Sequence, residues 1–263
     1  MRTLVRSGDR CESACAIAWL GGSISVGTAS IMVSAQSIEP GAILGFHAPS
    51  LPVKKGLEYS GEEVERAFAI AMKVMQVLYD ILLTENDDFD PINNFLYGRI
   101  LNTPASEMYT IDTIAEAIMT DINVGIWLPE KITRASMVYA CENALMLWRG
   151  IDEELGDADE HLDWIRNARY YYTEDQVKYI NNEYWAVRLY SRGRYQMLCL
   201  FSDEGLASRQ DISARLVTVS SWPDEPAEAV WQELSEGILS DLGTFELDGM
   251  AFYDGKTPLS DFQ

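Results

Sequence analysis

The stretch Arg10-Cys11-Glu12-Ser13-Ala14-Cys15-Ala16-Ile17-Ala18-Trp19-Leu20-Gly21-Gly22 constrains this chain more than any other. One small hydroxyl sits between two small thiols, just after the turn signal Ser7-Gly8-Asp9 and just before an apolar run of helical character. A nucleophile needs such a setting. A sharp strand-to-helix turn exposes the side chain and leaves backbone N–H groups of the helix N-terminus without acceptors. Ser13 is therefore the candidate nucleophile, and Gly21-Gly22 closes the helix that follows it. The plainer alternative is a small residue that lets helix and sheet pack closely.

Strand-like runs frame that stretch. Thr3-Leu4-Val5 ends a short buried strand, and residues 23–26 and 29–33 are apolar and β-branched enough for two more. After the turn Glu39-Pro40-Gly41, the run Ala42-Ile43-Leu44-Gly45-Phe46 suits a strand covered on both faces. It delivers His47 at its carboxyl end, where catalytic groups of α/β sheets gather, and Ala48-Pro49 then forces extended chain. The chain has only two histidines. His161 lies in a charged stretch and reads as solvated, whereas His47 is the candidate general base, with a buried structural histidine as the alternative.

Ser60 and Glu63 form a capping-box pattern that opens a long helix to about Leu83. Its broad apolar stripe (Val64, Ala67, Phe68, Ala71, Val74 and on) suits core or an oligomer interface, so a homo-oligomer through helix 62–83 is an expected partner mode. Residues 85–90 read as an acidic loop, Asp90-Pro91 starts a helix to about Leu101, and Thr113 to Thr120 form another before Ile122-Asn123-Val124.

Composition narrows the function classes. The length of 263 residues allows one large or two ordinary domains, and 48% hydrophobic residues supply a core. A net charge of −21, from 41 acidic and 20 basic residues, repels phosphate backbones and anionic lipid. Neither nucleic acid nor a membrane is an expected partner. The longest apolar stretch, residues 68–83, is broken by Lys73, Gln76 and Asp80, so no transmembrane span is expected. Residues 1–9 lack the apolar core of a signal peptide, which taken literally implies cytoplasm.

Cys11 and Cys15 are four apart, unlike a thioredoxin-type redox pair. With His47 they supply three zinc ligands but no evident fourth. A local disulfide bracing the turn, or two small buried thiols, fits better. No metal and no cofactor is expected. Cys15 is the backup nucleophile.

Taken together, Ser13 in Ser-Ala-Cys-Ala followed by Gly21-Gly22, then Gly45-Phe46-His47-Ala48-Pro49, then a long helix, then residues 109–124 with Ala115-Glu116-Ala117, resemble the Clp protease proteolytic-subunit family. They resemble more closely the predicted periplasmic Clp-like proteins of bacteria, which share the crotonase-type fold. The resemblance covers roughly residues 3–125. It implies an α/β fold with a Clp/crotonase-like parallel sheet and helices, Ser13 as nucleophile and His47 as its base, a pairing needed because a serine hydroxyl attacks poorly until a base takes its proton. It also implies a periplasmic parent.

Two departures from the family pattern are visible. The family's aspartate falls on Tyr109, which cannot orient a histidine. Glu107 and Asp112 are the nearest carboxylates, and Glu107 is favoured because one extra residue before Ala115 shifts the register towards it. The family's oxyanion hole uses the N–H after the serine, here Ala14, and a glycine pair on an earlier strand–turn unit. Only 12 residues precede Ser13. An N-terminally truncated chain, a misassigned start or completion in trans would each account for that, and loss of one such donor costs about 10²–10³ in rate.

From Pro129-Glu130-Lys131 the character changes, so domains 1–128 and 129–263 are expected. A helix from Ile132 to Trp148 carries Val138, Cys141, Leu145 and Trp148 on one face. Residues 184–190 and 195–201 read as a hairpin about Ser191-Arg192-Gly193-Arg194, and residues 214–222 as a further strand. Pro223 onward suits a helix near Val230, Leu234 and Ile238. Residues 245–253 read as a second hairpin with a type I′ turn at Asp248-Gly249. This half is an expected α+β module, with Cys141 and Cys199 as a candidate bridge in an oxidising compartment.

Three functions follow as expectations. The first is a serine hydrolase, expected to be a peptidase, taking a peptide or small acyl substrate. The second is a non-catalytic Clp-like scaffold for peptide binding or oligomerisation. The third is a crotonase-like acyl-thioester enzyme.

Overall fold

The computed structural model of the chain describes residues 1–26, 31–50, 56, 58–82, 94–152, 177–180, 183–189, 196–210, 212–219 and 240–262. The chain is mixed α/β and divides into two units, residues 1–112 with 120–123 and residues 113–119 with 124–262.

In the first unit the strands are three or four residues long. They are β1 (Thr3–Val5), β2 (Arg10–Glu12), β3 (Ser23–Val26), β4 (Ile31–Ser34), β5 (Gln36–Ile38), β6 (Ile43–Phe46) and β7 (Tyr109–Ile111), with helices α1 (Ala14–Leu20), α2 (Gly61–Leu82) and α3 (Asn94–Asn102) between them. β1 pairs with β5 and β2 with β6, both in parallel. β3 and β4 form an antiparallel hairpin, and β7 runs antiparallel to β6.

The expected single parallel sheet is thus corrected among the described residues to three small sheets, parallel only in part. The reason is where the chain re-enters. The Ala48 N–H donates to the Thr103 carbonyl at 2.8 Å, which holds the segment after α3 at the carboxyl edge of β6. A strand that starts from that edge must run back against β6. Trp19, Leu20, Ile38, Leu44, Phe46, Ile100 and Ile111 are buried and make the core of this unit. The Thr3 hydroxyl donates to the Trp19 carbonyl (2.8 Å) and the Trp19 indole N–H to the Ser37 carbonyl (3.2 Å), pinning α1.

Helix α2 is capped as its sequence requires. The Glu63 carboxylate accepts from the Ser60 N–H (2.8 Å) and hydroxyl (2.9 Å), and the Ser60 oxygen accepts from the Glu63 N–H (3.3 Å). Those bonds hold the Glu63 carboxyl below the ordinary glutamate range. Among the described side chains of the apolar stripe of α2, Val64, Phe68 and Val74 are not taken into a core. Val64, Phe68, Ile70, Met72, Val74 and Tyr79 are all exposed, Phe68 at 65%.

The second unit has helices α4 (Ile114–Met119) and α5 (Arg134–Asp152), strands β8 (Val177–Ile180), β9 (Tyr184–Leu189) and β10 (Gln196–Ser202), helix α6 (Asp203–Ser208), and strands β11 (Ser213–Val219) and β12 (Ser240–Glu246). The five strands form one antiparallel sheet in chain order. The expected hairpin is β9–β10, with Leu189 opposite Met197. Met137, Val138, Cys141, Ala144 and Leu145 on one face of α5 pack with Val187, Leu189, Cys199, Phe201 and Leu216 of the sheet. A Cys141–Cys199 disulfide crosses that core.

This unit begins ahead of the expected boundary because the chain's end captures α4. The Ala115 N–H donates to the Gly255 carbonyl (2.9 Å) and the Ile114 N–H to the Thr257 carbonyl (3.1 Å). Glu116 closes a second capping box there, accepting from the Thr113 N–H (3.1 Å) and hydroxyl (3.0 Å).

The expected type I′ hairpin at Asp248-Gly249 is absent. Asp248 instead caps a 3-10 helix over Gly249–Phe252, its carboxylate accepting from the Met250 N–H at 3.1 Å. Gly249 has no positive φ, and its glycine has another cause: a Cβ would lie 2.3 Å from the Ile126 carbonyl oxygen. His161, the turn at 191–194 and the helix expected near Val230 lie outside the described residues. Among the described residues no helix is long and apolar enough to cross a membrane.

Candidate active site

Two neighbouring parallel strands carry the two candidate groups. β2 and β6 pair with Cys11 opposite Leu44 and Glu12 opposite Gly45. Ser13 leaves β2 one residue beyond that register, and His47 leaves β6 two residues beyond it. Both therefore stand at the carboxyl edge of one sheet. The ladder continues past the strand into the turn, because the Ser13 N–H donates to the Gly45 carbonyl at 2.9 Å.

At Ser13 the backbone bends with φ 58° and ψ −122°, and α1 starts at the next residue. A non-glycine residue in this region is costly unless its surroundings impose it, and such residues cluster at functional sites. An ordinary N-cap serine has extended backbone and gives its oxygen to the helix. Ser13 does neither, since its side chain makes no cap hydrogen bond. The hydroxyl is left for other chemistry. The Ile17 N–H bonds the Ser13 carbonyl (3.1 Å), closing the first helical turn. The Ala14 N–H lies within that turn and has no acceptor inside the helix.

His47 is half-buried, and its Nδ1 lies 2.8 Å from the Ala48 carbonyl oxygen. A carbonyl only accepts, so Nδ1 carries a proton, and in a neutral ring the lone pair then sits on Nε2, the tautomer a general base needs. No hydrogen bond joins the His47 ring to Ser13 Oγ.

The candidate acids sit at opposite ends of β7. Tyr109 pairs with Phe46 and Ile111 with Leu44. Glu107, two residues ahead of Tyr109, is exposed at the His47 edge, in a turn closed by its N–H to the Pro104 carbonyl (2.9 Å). Its carboxylate makes no hydrogen bond to the ring. Asp112 follows the far end of β7, beside the start of β6, where it accepts from the Thr110 hydroxyl (3.1 Å). That end of the strand is about 13 Å from His47 at ~3.3 Å per residue. Tyr109, in the family's aspartate register, receives the Arg99 guanidinium 5.4 Å from its ring centroid, with Phe95 at 5.1 Å on the same guanidinium.

Cys11 and Cys15 are joined as a disulfide, with Cα atoms 5.1 Å apart. Their sulfurs cannot then ligate zinc, which removes the three-ligand alternative, and Cys15 is no free thiol for attack. Among the described residues no group of three histidine, cysteine or acidic side chains is placed to hold a metal.

Several contributors carried no sequence signal. The Gly45 and Ala48 carbonyls are backbone groups that any residue supplies. Gly45 itself is crowded, since a Cβ there would lie 2.7 Å from Met108 Cγ and 3.2 Å from Glu12 Cγ. Compared with protein-family models, curated proteins and solved structures, the chain has no significant match.

Proposed function

We propose that this chain is a serine hydrolase of the Clp/crotonase-like type that cleaves peptide or small acyl substrates. The observation that carries this reading is the Ser13 backbone, bent at a strand-to-helix junction with its hydroxyl unused by the helix. Ser13 Oγ attacks the acyl carbon while His47 Nε2 takes its proton. The Ala14 N–H donates to the oxygen that gains charge. His47 then returns the proton to the leaving group, and water repeats the sequence on the acyl-enzyme. The Ala48 carbonyl does the orienting that an acid performs in other triads, with Glu107 at the same edge.

The two disulfides support an oxidising compartment, in keeping with the periplasmic resemblance. Turnover of activated esters and peptide amides tests the reading. Ser13→Ala is expected to lower the rate by at least ~10³, and equal rates for the two proteins would reject it.

A scaffold reading has one observation of its own, the exposed apolar side chains Val64, Phe68 and Val74 of α2. The helix is about 33 Å long at ~1.5 Å per residue, and the exposed Val64, Phe68, Ile70, Met72, Val74 and Tyr79 on it suit a second copy of the same helix. Acidic or anionic partners are disfavoured by the charge of −21. Sedimentation should find a dimer or larger that Phe68→Glu dissociates. A monomer at micromolar concentration would remove the oligomer.

A further inference from the structure

We infer that the Cys11–Cys15 disulfide is a clamp on the Ser13 elbow, and that its reduction by a dithiol releases the bend and lowers the reactivity of the serine. The inference rests on the reading of Ser13 as the nucleophile. Cys11 belongs to β2 and is buried, while Cys15 is the second residue of α1 and is exposed. The disulfide therefore ties the end of the strand to the first turn of the helix, with the bent residue as its midpoint.

The bend needs such a tie. Left to itself a serine abandons φ near +58° for the ordinary regions. Two hydrogen bonds anchor its flanks, Ser13 N–H to the Gly45 carbonyl on the strand side and Ile17 N–H to the Ser13 carbonyl on the helix side. Each fixes one flank, and the covalent link fixes the distance between them. The bridge closes a loop with a sequence separation of only 4, against 58 for Cys141–Cys199. Cross-links over short loops constrain the unfolded chain least. The effect of the first disulfide is accordingly local, on the residue it encloses.

Accessibility sets the direction of exchange. A thiolate of the external dithiol attacks Cys15 Sγ, because Cys11 is only 5% exposed. The Cys11–Cys15 bond breaks and Cys11 leaves as a thiolate that takes up a proton. The second thiol of the reductant then displaces Cys15, giving two protein thiols and an oxidised, cyclic reductant. Two electrons and two protons have moved. Cys141 and Cys199 are fully buried and stay bonded under mild reduction.

Two readouts on the full chain test the clamp, with dithiothreitol as reductant and a fluorophosphonate as the serine probe. Backbone amide exchange over residues 13–20 should accelerate at least ~10-fold on reduction, and Ser13 phosphonylation should slow by a similar factor. Reoxidation should restore both, and Cys11→Ala/Cys15→Ala should behave as the reduced protein without reductant. Unchanged exchange, or faster exchange with unchanged phosphonylation, overturns the proposal. If the oxidised protein takes no probe at Ser13 while exchange still responds, the hydrolase reading and the catalytic half of the proposal fall together, and the mechanical half stands.

Discussion

The backbone N–H of Ser13 donates to the carbonyl of Gly45 at 2.9 Å, two residues before His47. That bond registers the serine's turn against the strand that carries the histidine, so the spacing of the two side chains is set by the sheet. Gly45 lies at that register. Its hydrogen faces Met108 Cγ and Glu12 Cγ, and Gly45→Val should push those side chains aside. The expected outcome is a loss of about 1–3 kcal/mol in stability, typical of overpacking, together with loss of Ser13 reactivity. Met108→Ala in the same background should recover part of both, as read by thermal unfolding and ester turnover.

His47→Gln should lower turnover by ~10²–10⁴, the range for loss of a general base. Glu107→Gln should cost less than ~10-fold, because the ring's Nδ1 already donates to the Ala48 carbonyl. Asp112→Asn should be silent. An effect of Glu107→Gln as large as that of His47→Gln would show that the carboxylate swings onto the ring during turnover.

Glu63 gives α2 a pH dependence of known sign. Its folded-state pKa is lowered from the ordinary 4.5 by hydrogen bonds from the Ser60 backbone and hydroxyl. The contribution is therefore fully present above the ordinary value and is lost as pH falls through the lower folded value. Carboxyl chemical shifts should report a Glu63 midpoint below 4.5. In Ser60→Ala that midpoint should return towards the ordinary range.

In the second unit, Gly249→Ala should destabilise by about 1–3 kcal/mol, since its new Cβ meets the backbone at residues 126–128. Asp248→Ala should cost about 1 kcal/mol for loss of its cap. Chemical denaturation of each variant separates the two. A neutral Gly249→Ala would contradict the close approach.

Elements with their own local chemistry were legible from sequence. Ser60 and Glu63 announced α2, Gly21 the end of α1, and two strand-like runs about Ser191-Arg192-Gly193-Arg194 the β9–β10 pair. β2 was not legible, because Arg10-Cys11-Glu12 is polar at both ends and becomes a strand only by pairing with β6. β7 was missed for the same reason, having its partner more than sixty residues away. The Asp248-Gly249 turn was misread because the dipeptide fits a type I′ turn and also a capped 3-10 helix, and only residues 126–128 decide between them. The stripe of α2 was legible as a pattern, but a pattern does not say what covers it.

Ser13 stands out in the sequence by its small-residue setting and His47 by its place at a strand end, and the structure puts both at the carboxyl edge of one sheet. The orienting partner was sought among carboxylates, whereas the atom next to Nδ1 is a main-chain oxygen. Main-chain groups leave no trace in residue identity. The Cys11–Cys15 bond stood among the alternatives, since spacing alone does not distinguish a disulfide from two buried thiols.

The most direct measurement is the rate and location of phosphonylation by a fluorophosphonate in oxidised protein. The account predicts one adduct per chain, carried by the peptide that contains Ser13, absent in Ser13→Ala and slowed at least ~10²-fold in His47→Gln. An unmodified chain, an adduct on another residue, or a Ser13 adduct that forms equally fast without His47 would contradict it.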